Sequence, residues 1–170
     1  MSEKRIFTQR LILIPFTIKI AKSIIQGKYE ELTDMGLGLG EGWPDEDTME
    51  TLPKIIKALE LVEEPTGFES WMVIKKDEMS IIGDAGFKGR PNTEGEVDIG
   101  YGIIEAERKK GYGFETATGL VVWAFSQPEV NKITAKCLIN NIDSARLLKK
   151  MKFKEISRDD EMLYWSIQKK

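Results

Sequence analysis

A basic segment with two glycines, residues 108–113 (Arg-Lys-Lys-Gly-Tyr-Gly), lies between a strand-like run and a helix-like run. Glycines at these two positions allow successive backbone N–H groups to face the same way. The start of the following helix adds unpaired N–H groups and the positive end of its dipole. Three cations stand on the approach. The segment therefore predicts a cradle for a phosphate or pyrophosphate.

Carboxylates and hydroxyls are the other groups that could do chemistry, because the chain has no His and a single Cys, Cys137. Without an imidazole, the Ser-His-Asp and Cys-His routes to an activated nucleophile are excluded. A zinc site of the usual kind is excluded for the same reason. Catalysis must then use carboxylates, hydroxyls, backbone amides or water.

Three carboxylates are candidates for a general base. Asp98 and Glu96 share one face of the strand-like run that precedes the basic segment, since strand side chains alternate with a period of two. Glu161 begins the last strand-like run. A base must reach its proton directly or through one water. Exposed strand carboxylates are also often only solvated, so the sequence does not choose among the three.

The glycine segment also carries a family resemblance. Arg108-x-x-Gly111-x-Gly113 resembles the Gln/Arg-x-x-Gly-x-Gly/Ala signature of the GNAT acetyltransferases, which lies between the fourth strand and third helix of that fold. The surroundings match as well: Ile99-Gly100-Tyr101, Glu115, Ala117, Asn141-x-x-Ser144 and Lys150-x-x-Phe153. Residues 8–13 (Thr-Gln-Arg-Leu-Ile-Leu) resemble the opening strand of the branch that contains the ribosomal-protein N-terminal acetyltransferases. The resemblance covers most of the chain and is weakest over residues 28–70.

This resemblance implies acetyl-CoA as co-substrate and no metal. By resemblance, the backbone of Ile103 and Glu105 binds the pantetheine arm and the acetyl carbonyl, and the side chain of Asn141 hydrogen-bonds the same arm. Asn141 is equally suited to cap a helix. Gly100 and Gly102 are typical of a β-bulge or a close backbone approach, and in the family a bulge here opens the sheet. The predicted coenzyme-binding residues of the signature are Arg108, Lys109, Lys110, Gly111, Tyr112, Gly113 and Phe114.

The proton donor for the departing thiolate is also inferred from the resemblance. Many GNAT enzymes place a Tyr one helical turn after the Ser144 position, and here that position holds Leu148. Ser144 is then the predicted general acid, as in the resembling branch, with a plain helix-start serine as the alternative. Glu161 lies near the position where that branch uses a Glu, so the predicted catalytic set is Ser144, Glu161 and Asp98.

The length and composition of the chain limit its domain number, its compartment and its partners. The chain has 170 residues, 41% hydrophobic, which suits one domain spanning 1–170. No run is apolar enough to span a bilayer, and none resembles a signal peptide. A net charge of -3 argues against a nucleic-acid surface. We expect a soluble cytoplasmic protein without a membrane or nucleic-acid partner, either a monomer or a homodimer.

Eight acidic residues and one basic residue lie between positions 28 and 50. They form either a solvated loop or an acidic lip that attracts an amine-bearing acceptor. Within this stretch, every second residue from Gly36 to Gly42 is a glycine. The G-x-G-x-x-G spacing of a dinucleotide-binding fingerprint is missing, so we interpret these glycines as a flexible loop. Trp43 is either an apolar wall for the acceptor or an anchor to the core.

Hydrophobic periodicity orders the elements. Strands are predicted at 6–16, 70–75, 79–87, 97–103, 133–139 and 161–167, and helices at 17–32, 47–60, 114–125 and 144–151. Within 17–32, Gly27 is the predicted helix stop. Such mixing predicts an α/β fold around one mixed sheet. The resemblance sharpens this to the GNAT fold, a mostly antiparallel sheet flanked by helices and splayed between its fourth and fifth strands.

The leading prediction is an acetyl-CoA-dependent N-acetyltransferase acting directly on a primary amine, either a protein N-terminus or a small amine. One rival is a coenzyme-binding regulatory module without catalysis, which Leu148 favours. A nucleotide-phosphate binder is the other, but no Lys followed by Ser or Thr comes after the glycines, as a Walker loop requires.

Overall fold

The computed structural model describes residues 4–170. Over this range the helices are α1 (Ile18–Ile25), α2 (Glu30–Asp34), α3 (Glu46–Glu60), α4 (Tyr112–Phe125) and α5 (Ile142–Lys150). The strands are β1 (Ile6–Phe7), β2 (Leu11–Pro15), β3 (Gly38–Leu39), β4 (Ser70–Lys75), β5 (Ser80–Phe87), β6 (Glu96–Ile103), β7 (Lys132–Leu138), β8 (Lys154–Arg158) and β9 (Met162–Gln168).

One mixed sheet organises the chain, in the order β1-β2-β4-β5-β6-β7-β9-β8, with β3 paired to β5. Neighbours are antiparallel except for the parallel pairs β6·β7 and β3·β5. The strands β6 and β7 pair only from Glu96↔Lys132 to Asp98↔Thr134, so their carboxyl-terminal halves separate. The predicted α/β fold and its splayed sheet are confirmed.

Helices cover both faces of this sheet. Trp123 of α4 packs against Phe68, Trp71 and Phe87 on one face. On the opposite face α3 lies over β5, where the Thr48 hydroxyl approaches Asp84 at 3.4 Å. The buried apolar side chains form one continuous cluster that includes Leu11, Trp71 and Trp165. No helix within residues 4–170 is long and apolar enough to cross a membrane.

Several predicted boundaries were wrong for identifiable reasons. The single strand predicted at 6–16 is a hairpin of β1 and β2. The stop predicted at Gly27 is confirmed, since its left-handed φ of 72° ends α1, but the rest of the 17–32 range holds a second helix, α2, that was not predicted. The cap of α3 is Asp45, whose carboxylate accepts from the Thr48 amide at 2.8 Å. The strand β8 was missed because all five of its residues are exposed and give no apolar alternation.

The glycine-rich stretch at 36–42 was also misjudged. Gly38 and Leu39 pair in parallel with Ser80 and Ile81 of β5. A Cβ at Gly40 would lie 2.6 Å from the Ile81 carbonyl oxygen, so this glycine permits a close backbone approach. The stretch is therefore docked on the sheet edge rather than a loose loop.

Candidate active site

The opening between β6 and β7 is the centre of the site. Gly100 and Gly102 lie in the unpaired half of β6, but the register of β6 with β5 is regular from Phe87↔Ile99 to Gly83↔Ile103. The predicted bulge at these glycines is therefore absent. The sheet opens because β7 diverges, and the glycines have a different effect. A Cβ at either position would meet no atom within 4 Å, so they leave a bare backbone floor beside open space.

The glycine segment follows this strand directly. Ile103 ends β6, Glu105–Glu107 forms a short 3₁₀ helix, and Gly111 precedes α4. Both Lys109 (φ 62°) and Gly111 (φ 88°) are left-handed, and such a backbone turns neighbouring N–H groups toward one side. Glu115 is the first residue of α4 whose amide donates back to Gly111, at 3.1 Å. The amides of the preceding turn therefore point out of the helix.

A second set of contacts holds the segment in place from the rear. The Arg10 guanidinium donates to the Lys110 carbonyl at 2.9 Å and to Glu115 at 2.7 Å, and it stacks 4.2 Å from the Tyr112 ring centre. Burial tends to raise the pKa of Glu115, but donors from Thr8 and Arg10 outweigh it and hold that pKa below its usual range. Arg10 therefore supports the segment, a contact that its sequence position did not indicate.

Glu107 supports the segment from below. This buried carboxylate accepts from Lys110 at 2.6 Å and pairs with Lys75 at 2.9 Å. The bond from Lys110, followed by Lys75, lowers the pKa of Glu107 against the opposing effect of burial. The ammonium of Lys110 is therefore committed to a structural ion pair, whereas the exposed Lys109 has no ion pair within residues 4–170.

The remaining predicted coenzyme residues surround the same cradle. The Arg108 side chain turns back and donates to the Ile103 carbonyl at 2.8 Å, so its charge lies toward β6 rather than over the loop. A Cβ at Gly113 would lie 3.3 Å from Leu147, which indicates that α5 packs closely on the first turn of α4. Lys150 of α5 stacks over the Phe114 ring at 4.2 Å, which brings a further cation to the loop. Glu105, at the start of the short 3₁₀ helix, is exposed to solvent.

The predicted catalytic hydroxyl lies on the far side of the opening. Asn141 caps α5 by accepting from the Ser144 amide at 3.1 Å. Burial raises the pKa of Tyr101 of β6 to about 12, against a smaller opposing effect of the nearby Ser144 side chain. Tyr101 and Ser144 thus lie close together across the separating elements, a proximity that a strand tyrosine does not signal in the sequence.

The predicted bases are less well placed. Asp98 is paired with Lys88 at 2.9 Å and accepts from Thr134 at 2.7 Å, where the β6·β7 pairing ends. Glu96 lies 3.9 Å from Lys132. Glu161 is exposed in the turn before β9 rather than in the strand. None of these three carboxylates lines the cleft between α3 and the sheet, and their catalytic role stays a prediction.

A cleft of about 520 Å³ lies between α3 and the floor formed by β5 and β6. Its floor includes Gly86, Gly100 and Gly102, and its walls include Ile55 and Phe87. Asp84 stands among these residues and is half-buried. Burial, with the nearby charges of Asp45 and Asp47, raises its pKa from 3.8 to about 6 against the opposing contact from Thr48. The cleft and the cradle meet at Ile103–Arg108.

Comparison with known proteins agrees with this geometry. A family model for the acetyltransferase (GNAT) domain matches residues 10–154. The chain belongs to the GNAT acetyltransferase family. GNAT enzymes are acyltransferases, so this chain is an enzyme of that class, and the resemblance seen in the sequence is confirmed.

Individual relatives extend over nearly the whole chain. The uncharacterized N-acetyltransferase YjdG of Bacillus subtilis is 32% identical over 158 residues, 93% of this chain and 94% of its own length. RimL, a ribosomal L7/L12 alpha-N-protein acetyltransferase solved with coenzyme A, has the same fold at a TM-score of 0.69 and 13% identity, covering 97% and 98% of the two chains. The ribosomal-protein-S5-alanine acetyltransferase of Vibrio fischeri has a TM-score of 0.69 at 14% identity, covering 98% and 97%.

The described residues fit the coenzyme that GNAT enzymes use. The cradle consists of bare backbone at Gly111, where a Cβ would lie only 3.2 Å from the Arg10 guanidinium. Outward amides and the exposed Lys109 suit the phosphates. The half-open sheet leaves strand edges of β6 and β7 unpaired, and such edges bind an extended arm through the backbone. No group of three His, Cys, Asp or Glu side chains within residues 4–170 could hold a metal ion.

Proposed function

We propose that the chain transfers an acetyl group from acetyl-CoA directly to a primary amine, in a complex that holds both substrates. The observation that carries this proposal is the junction of two spaces at one strand end. The amide cradle follows β6 immediately, and the cleft under α3 is floored by the unpaired half of the same strand. A thioester threaded through the opening would meet an amine bound in the cleft.

Different residues of the chain would bind the coenzyme and deliver the proton. Amides around Gly111 would hold the pyrophosphate, with Lys109 and Lys150 as supporting cations. The bound coenzyme supplies an acetyl group activated as a thioester. Ser144, in the first turn of α5 and near Tyr101 of β6, would deliver a proton to the leaving sulfur. We place this reaction in the cytoplasm, because the lone Cys137 favours a reducing compartment.

The acceptor belongs to a class rather than to a single compound. RimL and the Vibrio fischeri protein, which share this fold, are named ribosomal-protein acetyltransferases, and we propose a protein N-terminus or a small cationic amine as the acceptor here. The acidic residues Asp45 and Asp47 at the cleft would attract either kind.

Turnover with an amine panel tests the proposal. The protein is incubated with acetyl-CoA and either propylamine, spermidine, or short peptides beginning with Ala or Ser, and products are identified by mass spectrometry. Acetylation of at least one amine, with release of coenzyme A, is expected. Calorimetry with acetyl-CoA alone gives the second readout. Binding without any acetylation would support the non-catalytic module, and an absence of binding would exclude the proposed reaction.

A further inference from the structure

One carboxylate in the cleft has no strong partner. Asp84 has no ion pair within the described part of the chain, and the side-chain contact it receives is from the Thr48 hydroxyl at 3.4 Å. That hydroxyl has a single proton, and Asp45 accepts from it at the shorter distance of 2.8 Å. Asp84 therefore keeps its acceptor lone pairs free while it is half-buried in a cavity.

The register of the sheet shows what Asp84 faces. It lies directly opposite Gly102 of β6. Directly paired residues of antiparallel strands have Cα atoms about 4.5 to 5.5 Å apart. Because Gly102 has no side chain and the space at its Cβ position is open, nothing from β6 separates Asp84 from the unpaired strand edge. A ligand atom bound to Asp84 would lie beside the end of β6, where the thioester of the proposed function is expected.

We propose that Asp84 binds the ammonium group of the acceptor and accepts the proton that this group loses before transfer. This inference rests on the proposed function and deepens it, because it predicts an acceptor that arrives as a primary ammonium ion. A free carboxylate at the floor of a cleft matches such an ion in charge and in hydrogen bonding.

Protons and bonds balance in this scheme. One ammonium proton passes to the Asp84 carboxylate and then to solvent through the open cleft. The neutral nitrogen forms a bond to the acetyl carbon, and the carbon–sulfur bond breaks. The nitrogen then loses a second proton to water. The sulfur gains one proton from water, either directly or through Ser144, which donates its own proton and takes a replacement from water. The sum is one amide, one free thiol and one released proton.

Other charged groups around Asp84 shape its response to pH. From α3, Asp45 and Asp47 raise its pKa, while Lys54 lines the cleft farther along the helix. From its own strand, Lys88 lines the cleft but is paired with Asp98 of β6. Arg108 lines the cleft at the end of β6 and donates to Ile103. With a pKa of about 6, Asp84 is ionised at neutral pH and close enough to it to exchange protons efficiently.

The test compares two amines of similar size, propylamine and trifluoroethylamine. Propylamine is protonated at neutral pH, whereas the fluorinated amine is largely neutral. Asp84→Asn should lower kcat/KM for propylamine by about a hundred- to ten-thousandfold and for trifluoroethylamine much less. The wild-type kcat/KM should fall below pH about 6, and this fall should be absent in Asp84→Asn. Asp77→Asn, which removes a carboxylate from the exposed turn between β4 and β5, is the matched control.

The possible results separate this inference from the proposed function. Equal losses for the two amines, or an unchanged pH profile in Asp84→Asn, would overturn the role of Asp84 while leaving acetyl transfer intact. An absence of acetyl-CoA binding by the wild-type protein would overturn both. Circular dichroism and acetyl-CoA affinity should match those of the wild-type protein in Asp84→Asn, and Asp84→Ser provides a second neutral variant. The Ala- and Ser-initiated peptides, assayed beside propylamine, distinguish protein N-termini from small amines.

Discussion

At the scale of single residues, Ser144 was predicted from the sequence, whereas its neighbour Tyr101 was identified only from the structure. Burial raises the pKa of Tyr101 to about 12, and the Ser144 side chain lies near it. Leu148, which occupies the position of the tyrosine found in many GNAT enzymes, is 1% exposed and belongs to the core. The tyrosine beside Ser144 is therefore on β6 rather than on α5.

Ser144→Ala should lower kcat by about ten- to a thousandfold, at or below the range of general acid catalysis. The affinity for acetyl-CoA should change little, because Asn141 caps α5 by accepting from the Ser144 backbone rather than its side chain. Steady-state kinetics with an acceptor from the panel, together with calorimetry, measure both quantities. A wild-type kcat in this variant would mean that Ser144 is only a helix-start residue and that water protonates the sulfur.

The raised pKa of Asp84 should also make the free energy of unfolding depend on pH. Its pKa of about 6 in the folded state lies above the ordinary value of 3.8, so the folded state holds this proton more tightly than the unfolded state. The free energy of unfolding should therefore fall as pH rises between these two values and stay low above them. Asp84→Asn, which carries no charge, should be more stable than the wild-type protein at neutral pH by up to about 3 kcal/mol.

Urea denaturation at a series of pH values checks this expectation. The advantage of Asp84→Asn should shrink as the pH falls toward 3.8, where the wild-type carboxyl is protonated. Asp77→Asn should show no comparable change, because Asp77 is exposed in a turn. A variant less stable than the wild-type protein at neutral pH would indicate that Asp84 has a structural partner and is not a free carboxylate.

At the scale of elements, the predicted phosphate cradle is made by a loop and a helix start and is held by two carboxylates that flank it. Glu115 anchors it to the β1–β2 hairpin through Arg10, and Glu107 anchors it to β4 through Lys75. Two of the three basic residues of the segment are engaged in internal contacts, since Arg108 and Lys110 donate to Ile103 and Glu107. We therefore expect the backbone to contribute most of the phosphate affinity.

Gly111→Val should weaken acetyl-CoA binding by tenfold or more, about 1.4 kcal/mol at the least. The branched side chain is strained at φ 88° and its Cβ would contact the Arg10 guanidinium. Gly36→Val is a matched control, since Gly36 also has a left-handed φ of 79° but open space around it. Lys109→Ala should cost only about 1 kcal/mol. Unchanged affinity of the Gly111 variant in calorimetry would end the cradle interpretation.

At the scale of the whole molecule, part of the acidic stretch borders the cleft and a depression that reaches residues 104–108, while the rest lies away from both. Of its eight acidic residues, Asp45 and Asp47 line the cleft, and Glu41 lines a depression beside it. Glu30, Glu31 and Asp34 lie on α2, where Glu31 pairs with Lys19 at 3.1 Å. Trp43 is 4% exposed and anchors this stretch to the core.

Changing Glu41 and Asp47 together to Lys should lower kcat/KM for a cationic acceptor by about tenfold or less and leave acetyl-CoA affinity unchanged. Asp45 is spared because it caps α3. The loss should shrink at high salt, since screening acts over about 8 to 10 Å at physiological ionic strength. Changing Glu30 and Asp34 to Lys alters net charge equally away from the cleft and is the control. Equal effects of the two pairs would assign the stretch to general solvation.

The sequence by itself determined the features that depend on neighbouring residues. The glycine signature, its position between a strand and a helix, the cap at Asn141 and the family all follow from spacings of a few residues. Most helices and strands were predicted for the same reason, since apolar periodicity is local. The exposed β8 shows where that signal fails, because an edge strand has no buried face, whereas the helix stop at Gly27 was recognisable from the glycine itself.

Only the tertiary structure decided which distant groups meet. Arg10 and Glu115 are 105 residues apart, and nothing around either residue in the sequence indicates their contact. Asp84 became the strongest candidate base because sheet register places it opposite Gly102 and because α3 brings Thr48 and Asp45 over it. Such meetings depend on strand pairing and helix packing over long separations, so a carboxylate inside an apolar strand looks the same in sequence whether it lies in a cleft or in solvent.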